Sequence, residues 1–226
     1  MKFTDLFQKG YYINLDRRTD RRQEFEVEMK LAGFEDGFFE RFSAEDGAAA
    51  TEPHVKHFYC GASYYNLFKK IYEDGPEYFL IFEDDAEFYN GGDISGLELA
   101  ERALGELQHF DWDMIYFGGY PFDTMELVSP HLSRCHNILT THAIGYKRSV
   151  LDVVLGHTDL TRRYIPFDDG AIDAWFSSRT FLKKYLVNPV SIIQRHSVSD
   201  IDAFGYKATA HGFLERYETA TKIKLY

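Results

Sequence analysis

The chain has 226 residues, with 45% apolar and 27% charged side chains, which suits one domain (1–226) large enough to bury a real core. A net charge of −11 with no basic face argues against a nucleic-acid surface, and two cysteines, Cys60 and Cys135, argue against a disulfide framework or a thiolate metal cage. No stretch reaches 18 apolar residues and no apolar run precedes the first strand, so the sequence predicts no transmembrane segment, no secretory signal and a reducing, cytoplasmic setting.

The predicted elements follow in chain order. Tyr11 to Leu15 reads as a short buried strand. A helix comes next, with Asp20 placed to cap it and Gln23 three residues on to complete a capping box. Phe25, Met29 and Ala32 give that helix one apolar face, and Gly33 ends it. Phe38 to Phe42 reads as a second strand, closed by a turn at Glu45–Gly47. Tyr64, Leu67, Phe68, Ile71 and Tyr72 recur at helical spacing, and Asp74-Gly75-Pro76 stops the helix. Tyr78 to Phe82 is a continuous apolar run, as in a central strand covered on both faces. Leu97, Ala100, Leu104 and Leu107 predict a helix, and Met114 to Phe117 a strand ending at Gly118-Gly119. Ala143 to Tyr146 and Tyr185 to Val187 read as strands, with a helix at Ser149 to Leu155 between them. The alternation predicts an α/β fold: a mostly parallel central sheet flanked by helices, with ligands beyond the carboxyl ends of the strands. Aromatic content of 17% predicts a Phe-rich core, with some rings left to stack on sugar faces.

Three carboxylates, Glu83-Asp84-Asp85, end the strongest predicted strand. Adjacent carboxylates repel unless something positive compensates them, and Mg²⁺ or Mn²⁺ prefers such oxygen ligands; a solvated acidic loop is the plainer alternative. Asp16-Arg17-Arg18-Thr19-Asp20-Arg21-Arg22 opens the first helix, where one or two arginines beside free N–H groups suit phosphate oxygens. Asp168, Asp169 and Asp173 form a second acidic group that suits either helix capping or general-base work. Gln194, His196, Ser199 and Asp200 make a polar loop in which His196 is a candidate metal ligand. The other histidines, His142 among them, lack metal-site spacing and read as structural. GxxxxGK[ST], GxGxxG and GxSxG are all missing.

Taken in order, these segments resemble glycosyltransferase family 25, which includes lipopolysaccharide glycosyltransferases and procollagen galactosyltransferases. The resemblance is carried by Ile13-Asn14-Leu15, Arg18-Thr19-Asp20-Arg21-Arg22, Cys60-Gly61-Ala62-Ser63-Tyr64 (Tyr where the family has His), Glu83-Asp84-Asp85, Trp112 to Gly118, and Pro189, Gln194 and Ser199-Asp200. It implies a GT-A type domain, a UDP-sugar donor, Mn²⁺ (or Mg²⁺) and an inverting transfer of galactose or glucose. Asp84 and Asp85 would hold the metal, with His196 completing the site. Glu83 would brace the cluster or contact the ribose, Leu15 and Ala44 would border the uracil, and Arg18 and Arg22 would lie nearer the phosphates. Asn14 and Ser63 join the donor-binding set. Asp168, Asp169 and Asp173 are the candidates for the base. The implied acceptor is a glycan, lipid-linked or hydroxylysine-type hydroxyl. The competing readings are a metal-dependent nucleotidyltransferase and a non-catalytic glycan-binding domain of the same fold.

Overall fold

The computed structural model describes residues 1–49, 53–122, 125–156, 171–195, 197–198, 200 and 207–208. In chain order they form α1 (Phe3–Leu6), β1 (Lys9–Asn14), α2 (Thr19–Leu31), β2 (Phe39–Ser43), α3 (Pro53–Asp74), β3 (Tyr78–Glu83), β4 (Ala86–Phe88), α4 (Gly96–Leu107), β5 (Met114–Tyr116) and β6 (Tyr120–Pro121). They continue through β7 (Glu126–Ser129), β8 (Leu132–Cys135), β9 (Ile138–Leu139), β10 (Ala143–Lys147), α5 (Ser149–Gly156), α6 (Ile172–Ser178), β11 (Lys184–Val187), β12 (Ile192–Gln194), β13 (Ser197–Val198) and β14 (Lys207–Ala208).

Eight strands share one sheet in the order β2-β1-β3-β10-β5-β11-β8-β7. Pairings β1–β2, β1–β3 and β5–β11 are parallel, while β10 runs antiparallel between β3 and β5. The fold is therefore α/β, a mixed sheet with helices on both faces. One face buries Phe25 and Met29 of α2, Leu99, Ala103 and Leu107 of α4, and Phe3 of α1. The other buries Leu67, Phe68 and Ile71 of α3, Val150 and Val154 of α5, and Phe176 of α6. β3 separates the two cores by simple alternation: Leu80 and Phe82 face α2, and Phe79 and Ile81 face α3.

Several details differ from the sequence reading. Thr19 is already helical and Arg18 is the N-cap, with no side-chain capping bond, so Asp20 lies inside the first turn of α2 and not at its N-cap. Its carboxylate is drawn instead to the Arg18 guanidinium, at 2.8 Å. Tyr72 falls on the solvent side of α3 at 47% exposure, because at 3.6 residues per turn eight residues carry it roughly 80° round from Tyr64, to the edge of the apolar stripe. Gly33 does end α2, at φ +84°, where a side chain would be strained. The short α1 and the strand pairs β4–β12 and β6–β9 carry too few residues to show a period and went unpredicted. Gly118 lets β12 approach: a Cβ there would meet the Ile192 carbonyl oxygen at 2.0 Å.

Candidate functional site

The strand order 2-1-3 reverses the direction of winding at β1. From β1 the chain crosses through α2 on one face to reach β2, and through α3 on the other face to reach β3. The two crossovers part above β1 and β3 and leave a crevice at their carboxyl ends, the usual ligand position in such sheets. Register places Ile13 beside Glu83 and Asn14 beside Ser43. The Ile-Asn-Leu segment and the acid triple, distant in sequence, thus meet at one end of the sheet.

The crevice is bridged directly. The Asn14 side-chain amide donates to Asp84 Oδ2 at 2.7 Å, and its carbonyl accepts from Arg41 Nε at 2.9 Å. Arg21 is 8% exposed and donates to Asp84 Oδ1 at 2.9 Å, with Asp85 Oδ2 at 3.8 Å. Arg21 sits there because it is one helical repeat ahead of Phe25 and Met29, so the buried stripe of α2 carries a guanidinium at its top. Burial pushes the Asp84 carboxyl up, while the Arg21 charge opposes the shift. Burial likewise pushes Asp85 up, against the pull of Arg21, Arg195 and Arg18. Asp85 Oδ1 is buried and has no hydrogen-bond partner among the described residues. The Asp85 carbonyl accepts from the Arg195 N–H at 2.6 Å.

Alternation turns Glu83 to the α3 face. Its Oε1 accepts from the Tyr64 hydroxyl at 2.8 Å and from Thr141 Oγ1 at 2.7 Å. Tyr64, standing where the family motif has His, therefore reaches the acid triple. Burial, with the Asp85 charge second, pushes the Glu83 carboxyl up, although both hydroxyls oppose this. Asp173 belongs to the same side. Its Oδ2 accepts from the Thr140 N–H at 3.1 Å and its Oδ1 from the Ala174 N–H at 2.7 Å. Burial, then the charges of Glu83 and Asp173, pushes the Cys60 thiol up, so Glu83 and Asp173 act on one common neighbour.

The remaining expected residues divide. Arg18 donates to Asp20 and Asp200, and Arg17 donates to Asp46 at 2.9 Å and Asp200 at 2.7 Å, so Asp200 does return to the arginine segment, while Ser199 lies outside the described residues. Leu15 directly follows β1, and the Ala44 N–H donates to the Asn14 carbonyl at 3.0 Å, which brings both to the crevice. Ser63 is buried; its Oγ accepts from the Glu45 N–H at 2.8 Å and donates to the Tyr59 carbonyl, tying the loop after β2 to α3. Arg22 is not brought to the acids. It lies on the outer side of α2, donates to Glu26 at 2.9 Å, and lines a cavity of about 490 Å³ with Tyr12, Phe39 and Arg41. Asp168, Asp169 and His196 lie outside the described residues.

Sequence reasoning placed Arg21 in the arginine segment without singling it out, and missed Arg195. The four-residue spacing to Phe25 was the available signal for Arg21. Arg195 had none, because the pairing of β12 with β4 places it.

No curated protein matches the sequence. Among solved structures, the chain is similar to a glycosyltransferase involved in the glycosylation of the major capsid of PBCV-1, with 12% identity, TM-score 0.44, and 80% of this chain and 81% of that one covered. It is also similar to UDP-glucose pyrophosphorylase complexed with UDP-glucose, with 11% identity, TM-score 0.45, and 95% and 81% covered. The match to glycosyltransferase family 25 (LPS biosynthesis protein) spans residues 7–128, which include both the Asn14–Leu15 strand end and the acid triple it meets. That span is more than half of the sequence, and the chain belongs to glycosyltransferase family 25, whose members are glycosyltransferases.

Proposed function

We propose that this glycosyltransferase moves galactose or glucose from a UDP-sugar to a hydroxyl acceptor, with a divalent cation and with inversion. The observation that carries the reading is the Asp84–Asp85 pair, held by Asn14 and Arg21 at the crevice where β1 and β3 end.

A cation suits these residues unequally. Both Asp84 oxygens already accept hydrogen bonds, so Asp84 braces the site. Asp85 Oδ1 is buried and has no partner among the described residues, which is costly for a carboxylate oxygen and is relieved by a bound cation. Among the described residues no three His, Cys, Asp or Glu side chains form a ready cage, so in this reading diphosphate, water and His196 supply the remaining ligands. When bound, Mn²⁺ or Mg²⁺ supplies Lewis-acid stabilisation of the charge on the departing UDP.

The chain's own groups do the rest. Leu15 and Ala44 border the uracil, and Glu83, steadied by Tyr64 and Thr141, contacts the ribose. Arg18 exchanges Asp20 or Asp200 for phosphate oxygens; Arg22, committed to Glu26, is the weaker candidate. Inversion needs one carboxylate to take the acceptor proton; of the candidates Asp168, Asp169 and Asp173, the role falls to Asp168 or Asp169, because both Asp173 oxygens already accept backbone N–H groups, and the acceptor is a glycan, lipid-linked or hydroxylysine-type hydroxyl. In this reading the setting is cytoplasmic, where Cys60 and Cys135 stay reduced.

The test is a nucleotide-release screen with UDP-galactose and UDP-glucose, with and without Mn²⁺. UDP formation that depends on Mn²⁺ and is lost in Asp85→Ala is the expected result. Pyrophosphate in place of UDP would show a nucleotidyltransferase. Absence of both turnover and UDP binding would leave the glycan-binding reading.

A further inference from the structure

Thr140 is the single non-glycine residue with positive φ among the described residues, at +74°. A β-branched side chain disfavours this left-handed region more than most, so something must hold it there. The chain at this point is about to enter β10, whose register with β3 is fixed by Ala143 opposite Phe82. Two contacts clamp Thr140. Its N–H donates to Asp173 Oδ2 at 3.1 Å, and its Oγ1 lies 3.2 Å from His142 Nδ1. His142 is itself buried, with Nε2 3.1 Å from the Ile192 carbonyl oxygen.

The next residue carries the consequence. Thr141 Oγ1 donates to Glu83 Oε1 at 2.7 Å, and the Thr141 carbonyl oxygen lies 3.1 Å from the Tyr64 hydroxyl. A peptide turned through the left-handed region presents the following side chain on the opposite side from one in the extended region. The conformation of Thr140 therefore decides whether Thr141 faces Glu83 at all.

We propose that Asp173 is a positioning residue for glycosyl transfer: by accepting the Thr140 N–H it locks the left-handed turn that aims Thr141 at Glu83. Asp173 thus acts through two intervening residues on the acid triple and takes no proton from the acceptor. Both of its oxygens accept backbone N–H groups, which suits a fixed strut. The inference rests on the reading of Glu83 as a donor-contacting group.

The experiment compares wild type, Asp173→Ala, Thr140→Gly and the double variant. Glycine adopts positive φ freely, so it supplies the turn without the strut. Asp173→Ala is expected to lower kcat/KM for the UDP-sugar by roughly tenfold, the rate equivalent of one residue's left-handed cost. Adding Thr140→Gly is expected to restore it to within roughly threefold of the Thr140→Gly single variant, and the pH profile is expected to keep its shape throughout. A loss of roughly a hundredfold or more that Thr140→Gly leaves unrepaired would overturn the proposal and assign Asp173 to proton transfer. An Asp173→Ala variant with wild-type kcat/KM would overturn it as well. A substrate-free reading is given by the backbone chemical shifts of residues 140 and 141, which report the sign of φ. They are expected to move in Asp173→Ala and to return in the double variant; unmoved shifts refute the strut. Should the wild type release no UDP from any sugar nucleotide, the reading of the reaction fails while the shifts still decide the link between Asp173 and Thr140.

Discussion

Replacing Arg21 with methionine isolates the counter-charge of the acid pair. Methionine keeps the length and apolar stem of the side chain, so the packing of α2 above Phe25 changes little. The guanidinium is lost, and with it the 2.9 Å bond to Asp84 and the 3.8 Å approach to Asp85. Both partners are about nine-tenths buried, so solvent cannot replace the charge cheaply. Breaking a buried pair from one side costs about 3–5 kcal/mol, because the abandoned carboxylate stays desolvated. For a chain of this size each kcal/mol lowers Tm by about 2–4 °C, which places the expected drop near roughly 10 °C. The assay is thermal or urea unfolding in metal-free buffer, with Arg21→Lys as the control that keeps charge but loses the fork. Adding Asp84→Asn to Arg21→Met should recover part of the loss, since the stranded charge is then gone. A variant melting within about 2 °C of wild type would refute the view that Arg21 compensates this cluster.

Arg18→Ala should weaken UDP by about 10–100-fold in calorimetric titration, the scale of a charge-assisted hydrogen bond, while leaving uridine nearly unchanged; equal weakening of both would place Arg18 away from the phosphates. Tyr64→Phe removes a donor from Glu83 and should cost about 1.5 kcal/mol in urea unfolding at constant m-value, and an unshifted midpoint would show that Thr141 alone suffices. Burial pushes the His142 imidazole down to about 4, so the folded protein refuses a proton that the unfolded chain accepts from about pH 6.5 downward. Stability should therefore fall as pH drops from about 6.5 to about 4, by up to roughly 3 kcal/mol from this group. His142→Gln should flatten that slope, and an identical slope in both proteins would contradict the assignment.

The local patterns were legible to different depths. The apolar run at Tyr78–Phe82 and the helical spacing of Tyr64 to Ile71 showed buried elements, because burial on a strand or helix imposes a period the chain must carry. The capping of α2 was not legible. Asp20 has the favoured capping side chain, yet the helix already includes Thr19, and the Asp20 carboxylate pairs with Arg18, which Asp200 also reaches from far along the chain. The role of Tyr64 was likewise hidden: its position on the buried stripe was clear, but the acceptor for its hydroxyl lies on another strand.

By itself the sequence determined that the chain alternates strands with helices, that the acid triple ends a buried strand, and that an arginine-rich turn follows the first one. These are properties of segments, and hydrophobic period and turn chemistry act within segments. Only the tertiary structure decided which segments meet. Strand order 2-1-3 set Asn14 against Asp84, the packing of α2's Phe25–Met29 stripe on the sheet brought Arg21 rather than Arg22 to the carboxylates, and the antiparallel insertion of β10 carried Thr141 to Glu83. A period shows which face of an element is buried, but the partner across the interface is fixed by pairing and crossover, and those are energies of the assembled chain.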